Sequence, residues 1–374
     1  MHTALCDCFG IRYPIFVFTP SEKVAAAVTR AGGMGVLGCV RFNDAEELDS
    51  VLSWMDDNTL GLPYGVDVVM PATIPTEGTA VDINQLIPQD HRDFVDKTLA
   101  DLGVPPLPDG GPGSDGVLGW LHSIARSHVE VALGHRISLI ANALGSPPAD
   151  VLDRAHAAGL PVAALAGAAG HARRHADNGV DLIVAQGYEA GGHTGEIASM
   201  VLVPEVVDAV GATPVLAAGG IGTGRQVAAA LALGASGVWM GSAFLTAAEY
   251  DLGVRAGGSG GPSVIQQALL AATSSDTVRR RIYSGKPARL LKSRWTDAWD
   301  ADGAPDPLPM PLQNVLVAQA HQRMSLSQDP TTVAMPVGQI VGRMNEIRPA
   351  AAIIAELVSG FESATRRLDA IREA

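Results

Sequence analysis

Short apolar runs alternate with helix-patterned segments along roughly the first two thirds of the chain. The runs are rich in Val, Ile, Leu and Ala, and most end in glycine or a small polar residue, which is typical of buried parallel strands. Eight such runs can be placed, at residues 13–18, 35–38, 64–70, 137–144, 161–166, 182–186, 214–218 and 237–240. This alternation predicts an α/β fold, a (β/α)8 TIM barrel formed by residues 1–70 and 135–250.

Two parts of the chain do not follow this rhythm. Residues 71–134 hold two stretches rich in Pro, Gly and Asp, with a polar amphipathic helix at 88–102 between them. We expect an insertion after strand 3 that lies over the carboxyl-terminal rim of the barrel, either as a lid or as a surface elaboration.

After the last strand, residues 251–374 predict a mainly helical C-terminal extension that packs on the barrel. Its expected helices lie at residues 263–272, 276–283, 315–324 and 350–371, and a Pro- and Asp-rich loop is expected at 297–311.

Residues 182–244 are the centre of the pattern, because three strands there run directly into AQGYEAGGH, AAGGIG and MGS. Parallel strands place their carboxyl ends on one side of a sheet, so these loops should meet on one face. Glycines allow a ligand to approach the backbone, and free N–H groups at helix starts favour an anion. The loops after the last two barrel strands are the usual phosphate position of this fold.

The same stretch resembles the FMN-dependent nitronate monooxygenase family, also called 2-nitropropane dioxygenase-like, through EAGGHTGE, LVPEVVDAV and PVLAAGGIGTGRQVAAALALGASGVWMGSAF. The FMN-dependent enoyl-acyl-carrier-protein reductases share most of these residues. YPIF and AAAVTRAGGMGVLG near the start, and SGKPARLL and GQIVGRMNEIRPAAAIIAEL near the end, are similar to the same family. Only residues 70 to 134 lie mainly outside the resemblance, which implies a flavin-dependent oxidoreductase.

The glycine loops then predict where FMN binds. Gly219, Gly220 and Gly241 would hold the phosphate through backbone N–H groups, together with the Ser242 hydroxyl. The remaining candidate cofactor residues, nearer the ribityl chain and ring or within the matching stretch, are Gln186, Gly191, Gly192, Trp239 and Met240. The alternative is that these glycines serve only tight βα turns.

His193 follows two glycines at the end of strand 6, where it would face the ligand. A histidine can take a proton near neutral pH, as a general base for a carbon acid must. The histidine of GGH is functional in both enzyme groups that the sequence resembles, which implies a catalytic role here; the alternative is a rim histidine that only hydrogen-bonds. Glu189 and Glu196 flank it, but the glycines around them offer no rigid scaffold for a metal.

The chain departs from the family at two places. Family members usually carry Gly-Val-Asn in strand 3, with the Asn touching the flavin, where this chain has Asp67. An ionised carboxylate accepts hydrogen bonds but cannot donate them, so Asp67 would be protonated, re-aimed or not a ligand. The first loop, Val17-Phe18-Thr19-Pro20, is also shorter than usual, which implies an altered cavity beside the flavin ring.

Charge and cysteine content narrow the range of partners. The net charge of −13 is spread along the chain, which argues against a nucleic-acid or anionic-membrane partner. No apolar run is long enough to span a membrane and the start lacks a signal pattern, so we expect a cytoplasmic protein. The three cysteines, Cys6, Cys8 and Cys39, are too few for a disulfide framework, and no second ligand pair makes a metal site of Cys6 and Cys8.

Three further motifs match known patterns weakly. GxGxxG at residues 33–38 stands after a helix instead of after a strand, which favours a helix end leading into strand 2 over a dinucleotide site. His171 and His175 have the spacing of a zinc helix, but two arginines between them favour an exposed helix face. GxSxG at residues 257–261 has no preceding strand, which makes a nucleophile elbow improbable.

The sequence therefore predicts an FMN-dependent oxidoreductase that oxidises a nitronate or similar carbanion-like small molecule with O2, with His193 as general base. A second hypothesis is an NAD(P)H-dependent reductase of an enoyl thioester or quinone that uses the same flavin. A third is a flavin-binding protein without turnover, which the altered first loop and Asp67 would favour.

Overall fold

The structure, a computed structural model, describes residues 1–70, 83–107, 122–252 and 261–373. Eight parallel strands close into a barrel in chain order, namely β1 (Ile15–Thr19), β2 (Met34–Gly38), β3 (Tyr64–Val68), β4 (Ile137–Asn142), β5 (Val162–Ala166), β6 (Leu182–Gln186), β8 (Val215–Ala218) and β9 (Gly237–Met240). Three further strands form a separate antiparallel sheet, β7 (Gly192–His193), β10 (Thr277–Arg280) and β11 (Ala288–Leu291). The predicted (β/α)8 barrel is confirmed.

Helices surround the barrel and recur through the C-terminal extension. In chain order they are α1 (Ala4–Phe9), α2 (Glu22–Arg30), α3 (Ala45–Asn58), α4 (Gln89–Asp101), α5 (His122–Leu133), α6 (Ala149–Ala157), α7 (Ala169–Asp177), α8 (Ser199–Val210), α9 (Gly224–Ala232), α10 (Val264–Ala271), α11 (Arg294–Trp299), α12 (Leu312–Leu326) and α13 (Ala350–Glu373). None of the helices within the described ranges combines the length and hydropathy needed to cross a bilayer.

Side chains of each barrel strand alternate between two cores. One core fills the barrel interior, with Phe16, Val36 and Leu216 among its members, and a second lies between the strands and the surrounding helices. Helix α1 covers the amino-terminal mouth of the barrel, where the Phe9 ring meets the Phe16 ring edge to face at 5.5 Å. The opposite mouth is therefore the side on which a ligand can enter.

A third core joins the insertion to the C-terminal extension. Val95 and Leu99 of α4 pack in it with Trp295, Trp299 and Val317 of the extension. The guanidinium of Arg323 on α12 also donates to the carbonyls of residues 104 and 105, at 2.8 Å each. We call this unit, residues 83–107 with 277–335, the rim unit. Helix α5 behaves differently, because it packs against α3 and β3 as a helix of the barrel, although the sequence analysis included it in the insertion.

The extension differs in detail from its prediction. Residues 277–280 form strand β10, so the expected helix at 276–283 is wrong. Arg279 of β10 pairs with Arg289 of β11, and both guanidinium groups lie over the Tyr188 ring, so the extended conformation brings the two side chains to the same aromatic ring. Helix α11 likewise occupies the start of the loop expected at 297–311, and its capping box of Ser293 and Thr296 fixes that start.

Two of the weak motifs can be judged. Residues 34–38 form strand β2, as expected for a helix end leading into a strand. The exposed face expected for the histidine pair is wrong for His175, which is buried and hydrogen-bonds Ser146 Oγ at 2.6 Å and Leu165 O at 3.2 Å. These two bonds join helix α7 to strand β5 and to the loop after β4, which gives His175 a structural role. The GxSxG run falls almost wholly outside the described residues.

Candidate cofactor and substrate site

The carboxyl ends of β8 and β9 lie side by side and present a row of backbone N–H groups. Gly219 and Gly220, directly after β8, have φ of +98° and +69°, a left-handed conformation that suits glycine. Across the described ranges, the N–H groups of residues 219–221 and 241–243 donate to no protein acceptor. N–H groups that converge in this way form an anion-binding concavity, which we call the cradle.

The cradle also has room for a phosphate. A Cβ built on Gly241 would find its nearest neighbour, Phe18 O, at 3.6 Å, and one built on Gly220 would meet only the Glu189 side chain, at 3.4 Å. A Cβ at either position would therefore make only ordinary van der Waals contacts, so other described residues do not pack tightly over these glycines. The residues present thus fit the phosphate of a flavin mononucleotide.

A distant part of the chain closes the cradle. Gly338 N–H donates to Ser242 Oγ at 2.9 Å, and Gln339 N–H donates to the carbonyl of Glu189 at 2.9 Å. The approach is too close for larger residues, since a Cβ on Gly191 would lie 2.7 Å from Gly338 N. Ser242 keeps its own hydroxyl proton, so it can still donate to an anion. Gly191 is thus placed at the packing of the 337–339 segment against the β6 loop.

The other predicted cofactor residues lie around the same mouth. Gln186 ends β6 beside Ala218 and is half-buried. The Trp239 side chain fills the barrel interior, whereas Met240 packs in the outer core between strands and helices. A contact from Met240 to a bound ligand would consequently use its backbone. Gly192 pairs with Arg289 in the antiparallel sheet.

His193 is held by the hairpin of the extension. It pairs with Ala288 of β11, and its Nε2 lies 2.6 Å from the hydroxyl of Ser284, which is itself buried. Burial, followed by the neighbouring Lys286 charge as the smaller cause, lowers the pKa of His193 to about 4. The imidazole is therefore neutral at physiological pH and has one nitrogen available as a base.

Asp67 lies on the inner face of β3, since its neighbours Val66 and Val68 belong to the outer core. Burial raises the pKa of this carboxyl to about 8. Near neutral pH it is therefore mostly protonated and can donate a hydrogen bond, as an Asn in the same place would. Of the options that the sequence left open, protonation agrees with this environment.

The buried carboxyl predicts how stability depends on pH. Because the pKa of folded Asp67 is raised from 3.8 to about 8, its contribution to the free energy of unfolding falls as pH rises between those values. The substitution Asp67→Asn removes this pH dependence and keeps a side chain of nearly the same size. We expect the variant to melt at a higher temperature than the wild type near pH 8, with the difference shrinking towards pH 4. Thermal unfolding across this range measures it, and parallel pH profiles would contradict the assignment.

Metal chemistry has no support in the described residues, where no group of His, Cys, Asp and Glu side chains could hold an ion. Glu189 instead accepts hydrogen bonds from the Ser199 N–H and hydroxyl, at 3.0 and 2.9 Å, at the start of α8. Glu196 lies 3.6 Å from Arg279. Cys6 is buried with α1, while Cys8 is exposed.

Sequence reasoning missed three residues of this site, Ser284, Lys286 and Gly338. Each lies in the C-terminal extension, about 90 residues or more from the residue that it contacts or influences. The runs SGKPARLL and GQIVGRMNEI contain all three, so their resemblance to the family was the available signal. Nothing in local spacing indicates that these runs fold back to the barrel mouth.

The chain is similar to known proteins over almost its whole length. The sequence profile of the nitronate monooxygenase family matches residues 2–360. The chain is 49% identical to the putative monooxygenase Rv1533 of Mycobacterium tuberculosis, with 96% of each chain covered. It is 26% identical to a probable nitronate monooxygenase of Staphylococcus aureus strain Newman, covering 95% of this chain and 96% of that one.

Two solved structures are similar to this chain over almost its whole length. A nitroalkane oxidase from Streptomyces ansochromogenes superposes with a TM-score of 0.78 at 27% identity, over 98% of this chain and 100% of that one. FabK from Thermotoga maritima gives 0.74 at 25% identity, over 99% of both chains. The chain belongs to the nitronate monooxygenase family and is an oxidoreductase.

Proposed function

We propose that this enzyme binds FMN and oxidises a nitronate or similar carbanion-like substrate, with O2 as the electron acceptor. The observation that carries the proposal is the neutral, half-buried His193 at the same barrel mouth as the cradle. FMN is favoured over FAD because the described residues offer a single phosphate cradle, and residues 34–38 form a strand where a dinucleotide site would need a glycine-rich loop. When bound, FMN would supply the electron-transfer chemistry, taking electrons from the substrate and passing them to O2.

The residues of the cradle would hold the phosphate of FMN. Backbone N–H groups of residues 219–221 and 241–243, with the Ser242 hydroxyl, would donate to its oxygens. Gln186 at the end of β6 and the protonated Asp67 on β3 would hydrogen-bond the ribityl chain or ring from two sides of the barrel mouth. Burial of Asp67 supports this role, because a charged carboxylate there would be unfavourable.

His193 would manage the substrate proton. Ser284 Oγ accepts from Lys286 N–H at 3.4 Å, and as an acceptor it also suits an Nε2–H group of His193. In that tautomer Nδ1 is the basic nitrogen, which can remove a proton from the carbon next to a nitro group. The Lys286 charge close by favours an anion, which is the form of a nitronate.

A second candidate, NAD(P)H-dependent reduction of an enoyl thioester or quinone, is favoured by the similarity to FabK. It would use the same cradle and the same histidine. The third hypothesis, flavin binding without turnover, predicts no reaction with either kind of reductant. All three hypotheses use the same residues to bind the flavin. They differ in which electron donor reduces it.

The experiment that separates them is anaerobic mixing of the purified protein with a nitronate or with NAD(P)H. We expect a yellow protein that releases FMN on denaturation, and bleaching of the flavin absorbance by a nitronate but not by NAD(P)H. Readmitting O2 should restore the absorbance. Release of FAD, or a colourless protein that takes up no FMN, would refute the cofactor assignment, and bleaching by NAD(P)H alone would favour the reductase.

A further inference from the structure

Asp67 is the last inward-facing residue of strand β3, because its side chain points opposite to those of Val66 and Val68 in the outer core and the strand ends at Val68. It pairs with Gly38 on β2 and with Ala141 on β4. At this level the two adjoining strands thus carry no side chain larger than a methyl group. The carboxyl group therefore faces the upper end of the barrel interior, on the side of the mouth that holds the cradle.

The Asp67 carboxyl group has no hydrogen-bond or ion-pair partner among the residues that the structure describes. It is nevertheless buried, with 2% of the residue exposed, and its oxygens are not among the polar atoms that are sealed from solvent without a partner. The little access that remains thus reaches the carboxyl oxygens. A buried polar group without a partner is unfavourable, and a ligand atom that hydrogen-bonds it removes this cost.

A second polar side chain at the same mouth is also without a partner. Gln186 ends β6 and is half-buried, and its amide makes no hydrogen bond within the described ranges. The other inward-facing side chains near this end of the barrel include Phe18, Leu165 and Ala218, which are apolar. The polar atoms at the top of the barrel interior are thus left for a ligand.

Within the described residues, no positive charge is placed to stabilise Asp67 as a carboxylate. The titratable group that interacts with it is the thiol of Cys39, whose own pKa is raised by burial and then by the Asp67 charge. Arg41 lies close to this thiol, but its guanidinium pairs with Glu22 Oε2 at 2.7 Å. Burial raises the pKa of the Asp67 carboxyl to about 8, so near neutral pH it is an uncharged acid that can donate a hydrogen bond.

Resting on the proposed function, we infer that Asp67 couples the binding of FMN to the uptake of a proton. The neutral carboxyl group donates a hydrogen bond to an acceptor atom of FMN, which an ionised carboxylate cannot do. Bound FMN also removes the remaining access of the carboxyl oxygens to water, which disfavours the charged form further. FMN therefore binds the protonated protein better than the ionised one, and retention of the cofactor depends on pH.

The direction of this dependence follows from the raised pKa. Below about pH 8 the free protein already carries the proton on Asp67, so binding takes up none and the affinity does not change through this group. Above that pH the free protein must gain the proton when it binds FMN, and the affinity falls by up to about tenfold per pH unit. An asparagine at this position would donate at every pH and show no such fall.

The first test is a fluorescence titration of the apoprotein with FMN between about pH 6 and pH 9.5, on the wild type and on Asp67→Asn. The variant keeps the size of the side chain and a hydrogen-bond donor. The ratio of the two Kd values isolates Asp67, because the titrating groups of FMN and of the rest of the site are common to both proteins. We expect the ratio of wild type to variant to rise about tenfold between pH 7 and pH 9.

The proton itself can be counted. Calorimetric titration with FMN in two buffers of different ionisation enthalpy gives the number of protons that are bound with each FMN. We expect the wild type to take up about one proton more than Asp67→Asn at pH 9, and no more than the variant at pH 6. The measurement needs no turnover, so it does not depend on which substrate the enzyme oxidises.

A second variant, Asp67→Leu, separates the hydrogen bond from the loss of charge. Leucine has a similar size and no charge, but it cannot donate. Relative to Asp67→Asn, we expect the same pH profile and about tenfold weaker FMN binding at every pH, the usual scale for loss of one hydrogen bond. The matched control is Asp153→Asn, the same exchange at an exposed position of α6, which should keep the profile of the wild type.

The outcomes distinguish this inference from the proposed function. A constant Kd ratio, with equal proton uptake by the wild type and Asp67→Asn, would overturn the inference while FMN binding stands. Equal FMN affinities of the Asn and Leu variants would overturn the donated hydrogen bond. Failure of the wild type to bind FMN at any pH would overturn the cofactor assignment and the inference together. If Asp67→Leu does not fold, the Asn variant and the proton count still decide the coupling.

Discussion

Replacing His193 by asparagine is expected to leave flavin bound but to slow anaerobic flavin reduction by a neutral nitroalkane by about 10²–10⁴-fold, the usual contribution of a general base. Asparagine has similar size and can still hydrogen-bond Ser284, so the hairpin should hold. Supplying the substrate already deprotonated, as a nitronate, should restore much of the rate. In the wild type, the rate with the neutral substrate should fall as pH drops through about 4, where His193 gains a proton.

Three outcomes of this experiment distinguish the roles of the residue. Loss of flavin or of folding would give His193 a structural role. Nearly intact reduction by NAD(P)H with reduced substrate turnover would favour the enoyl reductase. Full activity with every reductant would remove His193 from the mechanism. Ser284→Ala is the companion variant, since it removes the hydrogen bond but leaves the base, and it should change the pH profile more than flavin content.

Gly241→Val is expected to lower FMN affinity by at least tenfold while leaving the protein folded. Gly241 has a negative φ, −136°, and a Cβ there would make only ordinary contacts. The added methyl groups would instead occupy the space above the N–H donors of residues 241–243. Flavin content after gel filtration and fluorescence titration of the apoprotein with FMN measure the effect.

Gly170→Val is the matched control. That glycine has open space around it and lies in α7, outside the loops that form the cradle. Gly220→Val should act like Gly241→Val on FMN, but its φ of +69° adds backbone strain, so its melting temperature should also fall. Full flavin content in both cradle variants would contradict the placement of the phosphate.

The barrel could be predicted from the sequence because each of its strands carries its own signal. Residues 182–186 and 237–240 were placed at the observed bounds, since a buried parallel strand reads as an apolar run ending in glycine or a polar residue. The convergence of Gly220 and Gly241 then followed from topology alone. The wrong element, at residues 277–280, has mixed polarity and no such signal.

The surroundings of His193 could not be predicted, because they depend on contacts between distant parts of the chain. Ser284 is 91 residues away, and its hydrogen bond exists only because the hairpin pairs with β7. The pKa values of His193 and Asp67 likewise reflect burial by the fold, which no local pattern reports. The same holds for His175, whose partners Ser146 and Leu165 come from other elements.

The bond between Gly338 and Ser242 joins residues 96 positions apart, and this spacing determines when during synthesis the site is complete. All eight barrel strands leave the ribosome well before residue 338. A nascent chain can therefore present the N–H donors of the cradle before Gly338 is available to close it. Contacts of large sequence separation form late in folding. Flavin loading should therefore be largely a post-translational event, and a chain ending before residue 337 would hold the cofactor weakly even with an intact barrel.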